Sequence, residues 1–294
     1  MYHDYYHLKE NPFNVTADPD FFFFSKSHAE AISLLCFGVE QRKGILLVTG
    51  EIGTGKTTLS RKLLHELNKR GDMIFHMILD PAFTNENQFL SSLVKNFNIE
   101  LQDDLDLRTA DIVEMRDAIE RFLIQKTLEE NRTIILVIDE AQKMDLATLE
   151  TLRILLNFET NEHKLIQLVL LGQLELYSKV VHMSNFMDRI SFKFTLNPLD
   201  VYETYELILF RMMKAGYQRM HRLFLDDALS DIYNYSRGYP RKINMLCHKI
   251  LKYLVLINQN VVDARVVKEV IVKDQQWISA TRQNQIQLSQ VIEK

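Results

Sequence analysis

The sequence predicts an α/β fold, a three-layer αβα sandwich around a parallel sheet, followed by a smaller and wholly helical module. Strand and helix patterns alternate through the first two thirds of the chain, which is typical of a parallel sheet covered on both faces. The strongest strand pattern, residues 134–138, is apolar throughout, as expected of a central buried strand. After Pro198 the strand patterns stop and only helical spacing continues.

The individual elements follow from short apolar runs and from leucines at helical spacing. The predicted strands are 45–49, 73–79, 134–138, 165–171 and 192–196. A helix follows the first strand, because Leu59, Leu63, Leu64 and Leu67 recur at helical spacing before Gly71. The other predicted helices are 88–97, 112–128, 146–158, 202–215, 226–235, 240–257 and 264–272. We therefore expect a core with an N-terminal strap at 1–198, a helical lid at 199–276 and a polar tail at 277–294.

The composition sets limits on the class of protein. Hydrophobic residues make up 47% and charged residues 25%, which argues against a disordered chain. The formal net charge of −4 excludes nucleic-acid binding by overall charge, although a local basic face stays open. Cys36 and Cys247 lie far apart and fit two buried thiols in a reducing compartment. No apolar run approaches the ~20 residues of a membrane span, and no signal-peptide pattern begins the chain, so we expect a cytoplasmic protein.

A glycine-rich segment lies between the first predicted strand and the helix after it. It reads Gly50-Glu51-Ile52-Gly53-Thr54-Gly55-Lys56-Thr57, which fits the P-loop pattern G-x-x-x-x-G-K-[ST], and Thr58 follows. Its glycines let backbone N–H groups fold around an anion, and the helix adds the positive end of its dipole. Lys56 is expected to reach the β- and γ-phosphates, and the Thr57 hydroxyl to coordinate Mg²⁺. The segment therefore predicts a site for ATP with Mg²⁺.

Two acidic residues, Asp139 and Glu140, end the strongest predicted strand. The carboxyl ends of parallel strands form the edge of the sheet at which ligands bind. Asp139 is expected to hold Mg²⁺ directly or through water, and Glu140 to act as the general base on the attacking water. The two acids could instead end the strand in solvent. The P-loop in the same chain favours a Mg²⁺-dependent ATPase.

Three further residues are candidates for the same site, and two of them have a plainer alternative. Gln173 follows a predicted strand and could touch the γ-phosphate or the water, or it could cap the next helix. Arg189 precedes the last strand and could enter a neighbouring subunit's site, or it could form a surface salt bridge, for instance with Asp188. Arg241 begins a helix of the lid and could bend back to the γ-phosphate, since its planar fork binds phosphate bidentately.

The ordered set of motifs resembles the AAA+ ATPases of the general secretion pathway protein A (ExeA) type. The segments that carry this resemblance cover most of residues 5–250: Tyr5-Tyr6-x-Leu8-Lys9-Glu10-Asn11-Pro12-Phe13, Thr49 to Thr58, Ile138-Asp139-Glu140-Ala141-Gln142, Leu152-Arg153-x-Leu155-x-Asn157-Phe158-Glu159-Thr160, Val169-Leu170-Leu171-Gly172-Gln173-x-Glu175-Leu176, Asp188-Arg189-Ile190 and Gly238-x-Pro240-Arg241-x-Ile243-Asn244. The P-loop alone is generic, whereas its combination with the later segments is more specific. The same module is similar to transposition regulators of the TniB and TnsC type.

The resemblance implies a P-loop NTPase core of the AAA+ class, a helical lid, nucleotide held at a subunit interface, and homo-oligomeric rings or filaments. Phe21–Phe24 is expected to be an extended segment packed on the core, near the place where family members receive adenine. Secretion members usually continue beyond the lid into a membrane span and a periplasmic peptidoglycan-binding part. The sequence stops at Lys294 with neither, so a role at the cell wall is not carried over.

Three functions stay open at this point. The first is an ATP-hydrolysing assembly motor or switch with a protein client in a secretion, pilus or cell-envelope system. The second is an ATP-dependent regulator of transposition or replication that polymerises on DNA. Nine Lys and Arg stand against five acids between residues 201 and 260, an excess that could meet DNA, the ATP phosphates or an acidic neighbour. The third is a nucleotide-gated switch with negligible turnover.

Overall fold

The computed structural model describes residues 2–14, 18–101, 106–160, 164–218 and 222–276. The chain divides into two compact units. The core unit is Lys26–Asn197, and the helical unit is Met1–Ser25 together with Pro198–Lys294. The division before Pro198 falls where the strand patterns of the sequence stop.

The core unit contains a sheet of five parallel strands in the order β2-β3-β4-β1-β5. The strands are β1 Ile45–Gly50, β2 Met73–Ile78, β3 Thr133–Ile138, β4 Ile166–Gly172 and β5 Ile190–Leu196. Every residue of β1, β3 and β4 is buried, which explains why these strands are largely apolar. The edge strand β5 has exposed and half-buried residues between its buried ends. The predicted α/β class with a parallel sheet is confirmed.

Helices pack on both faces of this sheet. The helices of the described residues, in both units, are α1 Tyr2–Tyr5, α2 Lys26–Glu40, α3 Lys56–Asn68, α4 Glu86–Asn96, α5 Ile112–Ile124, α6 Leu146–Leu155, α7 Leu174–Val180, α8 Ser184–Met187, α9 Val201–Lys214, α10 Asp226–Ser236, α11 Pro240–Leu256 and α12 264–276. Alternate strand residues such as Ile45 and Leu47 share one hydrophobic core with α4, α5 and α6. Leu46 faces the other way, towards α2. The two faces of each central strand thus bury different helices.

Helix α2 is not among the predicted elements. It contains Gly38, and a glycine near the end of a run normally indicates a helix stop. Here the glycine is needed for packing, because a Cβ on Gly38 would lie 2.3 Å from Leu46 Cδ2. Helix α5 continues as a π-helical turn at Gln125–Glu129, which extends one residue past the predicted helix 112–128.

The helical unit includes the N-terminal segment, and this corrects the expectation that residues 1–25 belong with the core. Tyr6, Leu8 and Phe13 are buried in one hydrophobic cluster with residues of α9, α10 and α11. Arg211 of α9 donates from Nη1 to the carbonyl oxygens of Pro12 and Asn14, at 3.0 and 3.1 Å. The segment therefore completes the core of the helical unit through both apolar burial and hydrogen bonds.

The four consecutive phenylalanines also differ from expectation. Phe21 ends a short 3₁₀ turn, Pro19–Phe21, and is buried in the helical unit, where the Arg211 guanidinium lies 5.7 Å from its ring centroid. Phe24 is 42% exposed. The run therefore does not pack as one extended segment on the core. The predicted tail at 277–294 lies outside the described residues. Within the described ranges, no helix has the length and apolar character needed to cross a bilayer.

Candidate nucleotide site

The P-loop connects the end of β1 to the start of α3, as the sequence predicts. Gly53 and Gly55 have φ values of 86° and 102°, a region that side chains with a Cβ rarely adopt. At Gly50 the constraint is space, because a Cβ there would lie 3.0 Å from the carbonyl oxygen of Leu196. The Thr54 hydroxyl donates to the Glu51 carbonyl across the loop, at 2.9 Å. The glycines thus permit a compact loop at the N-terminus of α3.

A histidine from α2 supports this loop, and the sequence analysis does not identify it. His28 is 2% exposed, and its Nε2 lies 3.0 Å from the Thr54 carbonyl oxygen. Since a carbonyl oxygen only accepts, Nε2 is the protonated ring nitrogen and donates a hydrogen bond to the Thr54 carbonyl oxygen. A Cβ on Gly55 would lie 2.8 Å from the same Nε2, so the imidazole packs directly against the loop.

Lys56 begins α3 and lies almost fully buried inside the loop. Its Nζ donates to the carbonyl oxygens of Gly50 and Glu51, at 2.8 and 2.9 Å. Burial lowers the pKa of Lys56, and the carboxylates of Glu140, Asp139 and Glu175 oppose that change. The ammonium group therefore lies in a partly desolvated position where attraction to an anion is strong.

The candidate metal ligands Thr57 and Asp139 belong to one site, since the Thr57 side chain acts on the pKa of the Asp139 carboxyl group. Asp139 follows β3 and is 1% exposed, and burial raises the pKa of its carboxyl group. A hydrogen bond from the Thr57 side chain and another from the Glu140 backbone N–H, at 2.9 Å, act in the opposite direction. A buried carboxylate beside a hydroxyl is a set of oxygen ligands that suits Mg²⁺, which typically takes its other ligands from phosphate and water. The residues present therefore fit the ion.

Glu140, the candidate base, has an unusual backbone conformation. Its φ and ψ are 52° and 34°, in the left-handed region that non-glycine residues seldom occupy. Its side chain is half-buried and accepts a hydrogen bond from Gln142 Nε2 at 2.6 Å. Strained backbone of this kind clusters at functional sites.

Gln173 lies at the end of β4, immediately before α7. Its backbone N–H donates to Gln142 Oε1 at 3.0 Å. Within the described residues its side chain makes no capping hydrogen bond to α7, so the helix-cap alternative loses its support. A contact between Gln173 and a phosphate or water stays a prediction.

Arg189 precedes β5 and is bound to uncharged groups. Nη1 donates to the Asn185 carbonyl at 3.0 Å and Nη2 to Asn157 Oδ1 at 2.6 Å. The salt bridge with Asp188 that the sequence left open is not among the ion pairs of the described residues. Whether the arginine serves a neighbouring subunit stays a prediction.

Arg241 belongs to the helical unit and is the second residue of α11. Its exposed side chain follows a tight turn in which Gly238 has a φ of 75° and Pro240 begins the helix. A Cβ on Gly238 would lie 1.9 Å from the Leu199 carbonyl oxygen. The turn therefore packs against Leu199, which comes shortly after β5 at the start of this part of the helical unit. A contact between Arg241 and the γ-phosphate stays a prediction.

Comparisons with known proteins agree with this arrangement. Residues 39–180 match a family described as an AAA domain. General secretion pathway protein A of Aeromonas hydrophila is 34% identical over 253 residues, which make up 85% of this chain. The chain spans only 44% of the length of that relative.

Two solved structures illustrate the shared fold. The Aeropyrum pernix ORC2 protein, solved as ADPNP–ADP complexes, has a TM-score of 0.61 at 15% identity, over 85% of this chain and 68% of that one. Drosophila ORC bound to DNA has a TM-score of 0.60 at 15% identity, over 84% of this chain and 60% of that one. At such identities the likeness concerns the fold alone.

Proposed function

We propose that this chain, whose residues 39–180 match an AAA domain, is a P-loop ATPase of the AAA+ class that binds ATP with Mg²⁺ and hydrolyses it to ADP and phosphate. The observation that carries the proposal is the P-loop at the start of α3, in which the buried Lys56 ammonium group donates to the Gly50 and Glu51 carbonyl oxygens at 2.8 and 2.9 Å. The buried Asp139 carboxylate acts on this ammonium group, and Thr57 follows it with a hydroxyl, which together are the groups that a magnesium triphosphate requires.

In this proposal the P-loop holds the phosphates. Backbone N–H groups of residues 50–58 and the N-terminus of α3 contact the phosphate oxygens, and Lys56 leaves the Gly50 and Glu51 carbonyls for the β- and γ-phosphates. Thr57 and Asp139 would hold Mg²⁺, directly or through water. The ion, when bound, neutralises charge on the phosphates.

Glu140 acts on the attacking water. The water oxygen bonds to the γ-phosphorus, the bond from the γ-phosphorus to the bridging oxygen breaks, and Glu140 accepts the proton that the water loses. ADP carries away the bridging oxygen. Gln173 contacts the water or the γ-phosphate, and Arg241 contacts the γ-phosphate from the helical unit. Arg189 stabilises the transition-state charge in the site of a neighbouring subunit.

For the cellular role we propose an oligomeric assembly motor or switch of a secretion, pilus or cell-envelope system. The support is the 34% identity to general secretion pathway protein A over most of this chain. The client of such a motor is a protein.

A second candidate is an ATP-dependent regulator that binds DNA during transposition or replication. The fold is shared with an origin recognition complex solved on DNA, and the sequence between 201 and 260 is basic. Salt-dependent retardation of duplex DNA in the presence of ATP would favour this role over the secretion role.

The proposal is tested by phosphate release and by light scattering of the wild type, Lys56→Ala and Glu140→Gln. We expect Lys56→Ala to lose nucleotide binding, and Glu140→Gln to bind ATP, stop turning it over and stay in the larger species that ATP induces. Chelation of Mg²⁺ should stop the wild type. Wild-type turnover by Glu140→Gln would remove the assigned base, and tight ATP binding without release by the wild type would favour a switch with negligible turnover.

A further inference from the structure

One side chain, that of Gln142, links the candidate base to the neighbouring strand. Gln142 lies in the short 3₁₀ turn Ala141–Lys143. Its Nε2 donates to Glu140 Oε2 at 2.6 Å, and its Oε1 accepts from the Gln173 backbone N–H at 3.0 Å. Both polar atoms of the Gln142 amide are therefore hydrogen-bonded, Nε2 to the Glu140 carboxylate and Oε1 to the backbone N–H that follows β4.

The same segment also holds the backbone of Gln142. Lys179 of α7 donates from Nζ to the carbonyl oxygens of Gln142 and Met144, the latter at 2.9 Å. Gly172, the last residue of β4, leaves room for the amide, because a Cβ there would lie 3.1 Å from Gln142 Oε1. Residues 172–179 thus fix both the side chain and the main chain of Gln142.

The carboxylate of Glu140 needs such support more than its backbone does. The backbone N–H is bound to Asp139 Oδ1 at 2.9 Å. The carboxylate stands at the end of three rotatable bonds, and the Gln142 amide donates a hydrogen bond to it. A general base must hold one oxygen within hydrogen-bond reach of the water, and small displacements reduce the rate strongly.

We propose that Gln142 is a positioning residue that aims the Glu140 carboxylate and ties it to the end of β4. This inference rests on the proposed ATPase function. The amide suits the task because it presents a donor to the carboxylate and an acceptor to the Gln173 N–H. A glutamate at 142 would keep the contact with Gln173 but turn an anionic oxygen towards Glu140.

The test compares Gln142→Glu, Gln142→Ala and the control Lys143→Ala. Lys143 lies in the same turn, and its ammonium pairs with Asp80 on the surface at 3.2 Å. We expect both Gln142 variants to lose about 10–100-fold in kcat, the size of effect that misplacing a reacting group produces. KM for ATP and the Kd of a non-hydrolysable analogue should stay within about twofold, because the amide does not hold the phosphates. Lys143→Ala should match the wild type.

A second comparison asks whether Gln142 acts through Glu140. If it does, adding Gln142→Ala to Glu140→Gln leaves the slow residual phosphate release of Glu140→Gln, measured over a single turnover, unchanged, because residues that act as a unit are not additive. A Gln142→Glu variant that turns over within about threefold of an active wild type would overturn the inference and leave the ATPase standing. Equal losses in kcat and analogue affinity would also overturn it. A wild type without phosphate release would remove the proposed function itself.

Discussion

The imidazole of His28 is hydrogen-bonded to the P-loop itself, with Nε2 3.0 Å from the carbonyl oxygen of Thr54. Helix α2 precedes the whole sheet in sequence, yet its first turn reaches the loop that follows β1. The loop is thus held by a residue that carries no part of the P-loop pattern. This contact makes the shape of the loop depend on α2.

Replacing His28 by alanine should weaken both the fold and the nucleotide site. Removing the partner of a buried carbonyl costs about 1–3 kcal/mol, and we expect the free energy of unfolding to fall by that amount. ATP affinity should fall as well, because the loop is no longer fixed. Urea unfolding and titration with a fluorescent nucleotide measure the two effects. His65→Ala, at an exposed position of α3, is the control, and equal losses in the two variants would refute the assignment.

Gly55→Ala should abolish nucleotide binding while Gly71→Ala should not. Gly55 has a φ of 102°, and an added Cβ would lie 2.8 Å from His28 Nε2, so both backbone and packing oppose a side chain. A Cβ added to Gly71 would meet no heavy atom of the described residues within 4 Å. We expect a loss of roughly 1–3 kcal/mol for Gly55→Ala from the strained backbone, and a change within about 1 kcal/mol for Gly71→Ala. Thermal unfolding measures the change in stability of the two variants, and nucleotide titration measures their affinity for ATP.

The position of Arg189 separates it from the P-loop of its own chain. A Cβ placed on Gly44, just before β1, would lie 4.0 Å from the Arg189 carbonyl oxygen, whereas the P-loop follows β1. The six residues of β1 span about 20 Å at ~3.3 Å per residue. This separation supports the proposal that Arg189 serves the site of another subunit.

Mixing two inactive variants tests that proposal. Arg189→Ala should keep its ATP affinity but lose about 10³-fold or more in kcat, as expected for an arginine supplied in trans. Glu140→Gln should be inactive yet still present Arg189 to a neighbour. Mixed oligomers of the two should therefore regain part of the wild-type phosphate release. If the mixture stays as inactive as its components while it co-assembles, Arg189 does not act across an interface.

Phe13→Ala should destabilise the helical unit. Phe13 is 0% exposed and packs edge-on against Phe224, with ring centroids 6.3 Å apart. We expect a loss of about 3–5 kcal/mol, the usual cost of deleting a buried aromatic ring. Urea unfolding measures this loss of stability, and limited proteolysis after residue 198 shows whether the helical unit has become easier to cleave. Phe24→Ala, at a 42% exposed side chain, should change stability by less than about 1 kcal/mol; a comparable loss there would contradict the assigned packing.

The sheet and the P-loop could be predicted because their determinants are local. The strands β1, β3 and β4 lie within one residue of their predicted bounds, since each is a buried and largely apolar run that ends at a glycine or an acid. Helix α2 could not, because its glycine fits a contact with Leu46 that only the folded sheet supplies.

The rest of the candidate site depends on tertiary packing. That Thr57 and Asp139 belong to one site follows from the strand order, in which β4 lies between β1 and β3, and no periodicity in the sequence specifies that order. His28 meets Thr54 across 26 positions, and Gln142 meets Gln173 across 31. Such long-range contacts produce no periodic pattern in the sequence, so they could not be predicted. The assignment of the N-terminal segment to the helical unit could not be predicted for the same reason.

The opposite ends of β1 have a consequence for assembly. Suppose that the subunit face near Gly44 carries the Arg189 that enters a neighbour's site, and that the face near Gly50 carries the site that a neighbour's Arg189 enters. Identical subunits then stack head to tail, and every interface has the same polarity. A closed circle of n subunits then has n complete sites, whereas an open stack has n − 1 and one idle end. Phosphate release per subunit would rise with the length of an open stack and be independent of size once the circle closes.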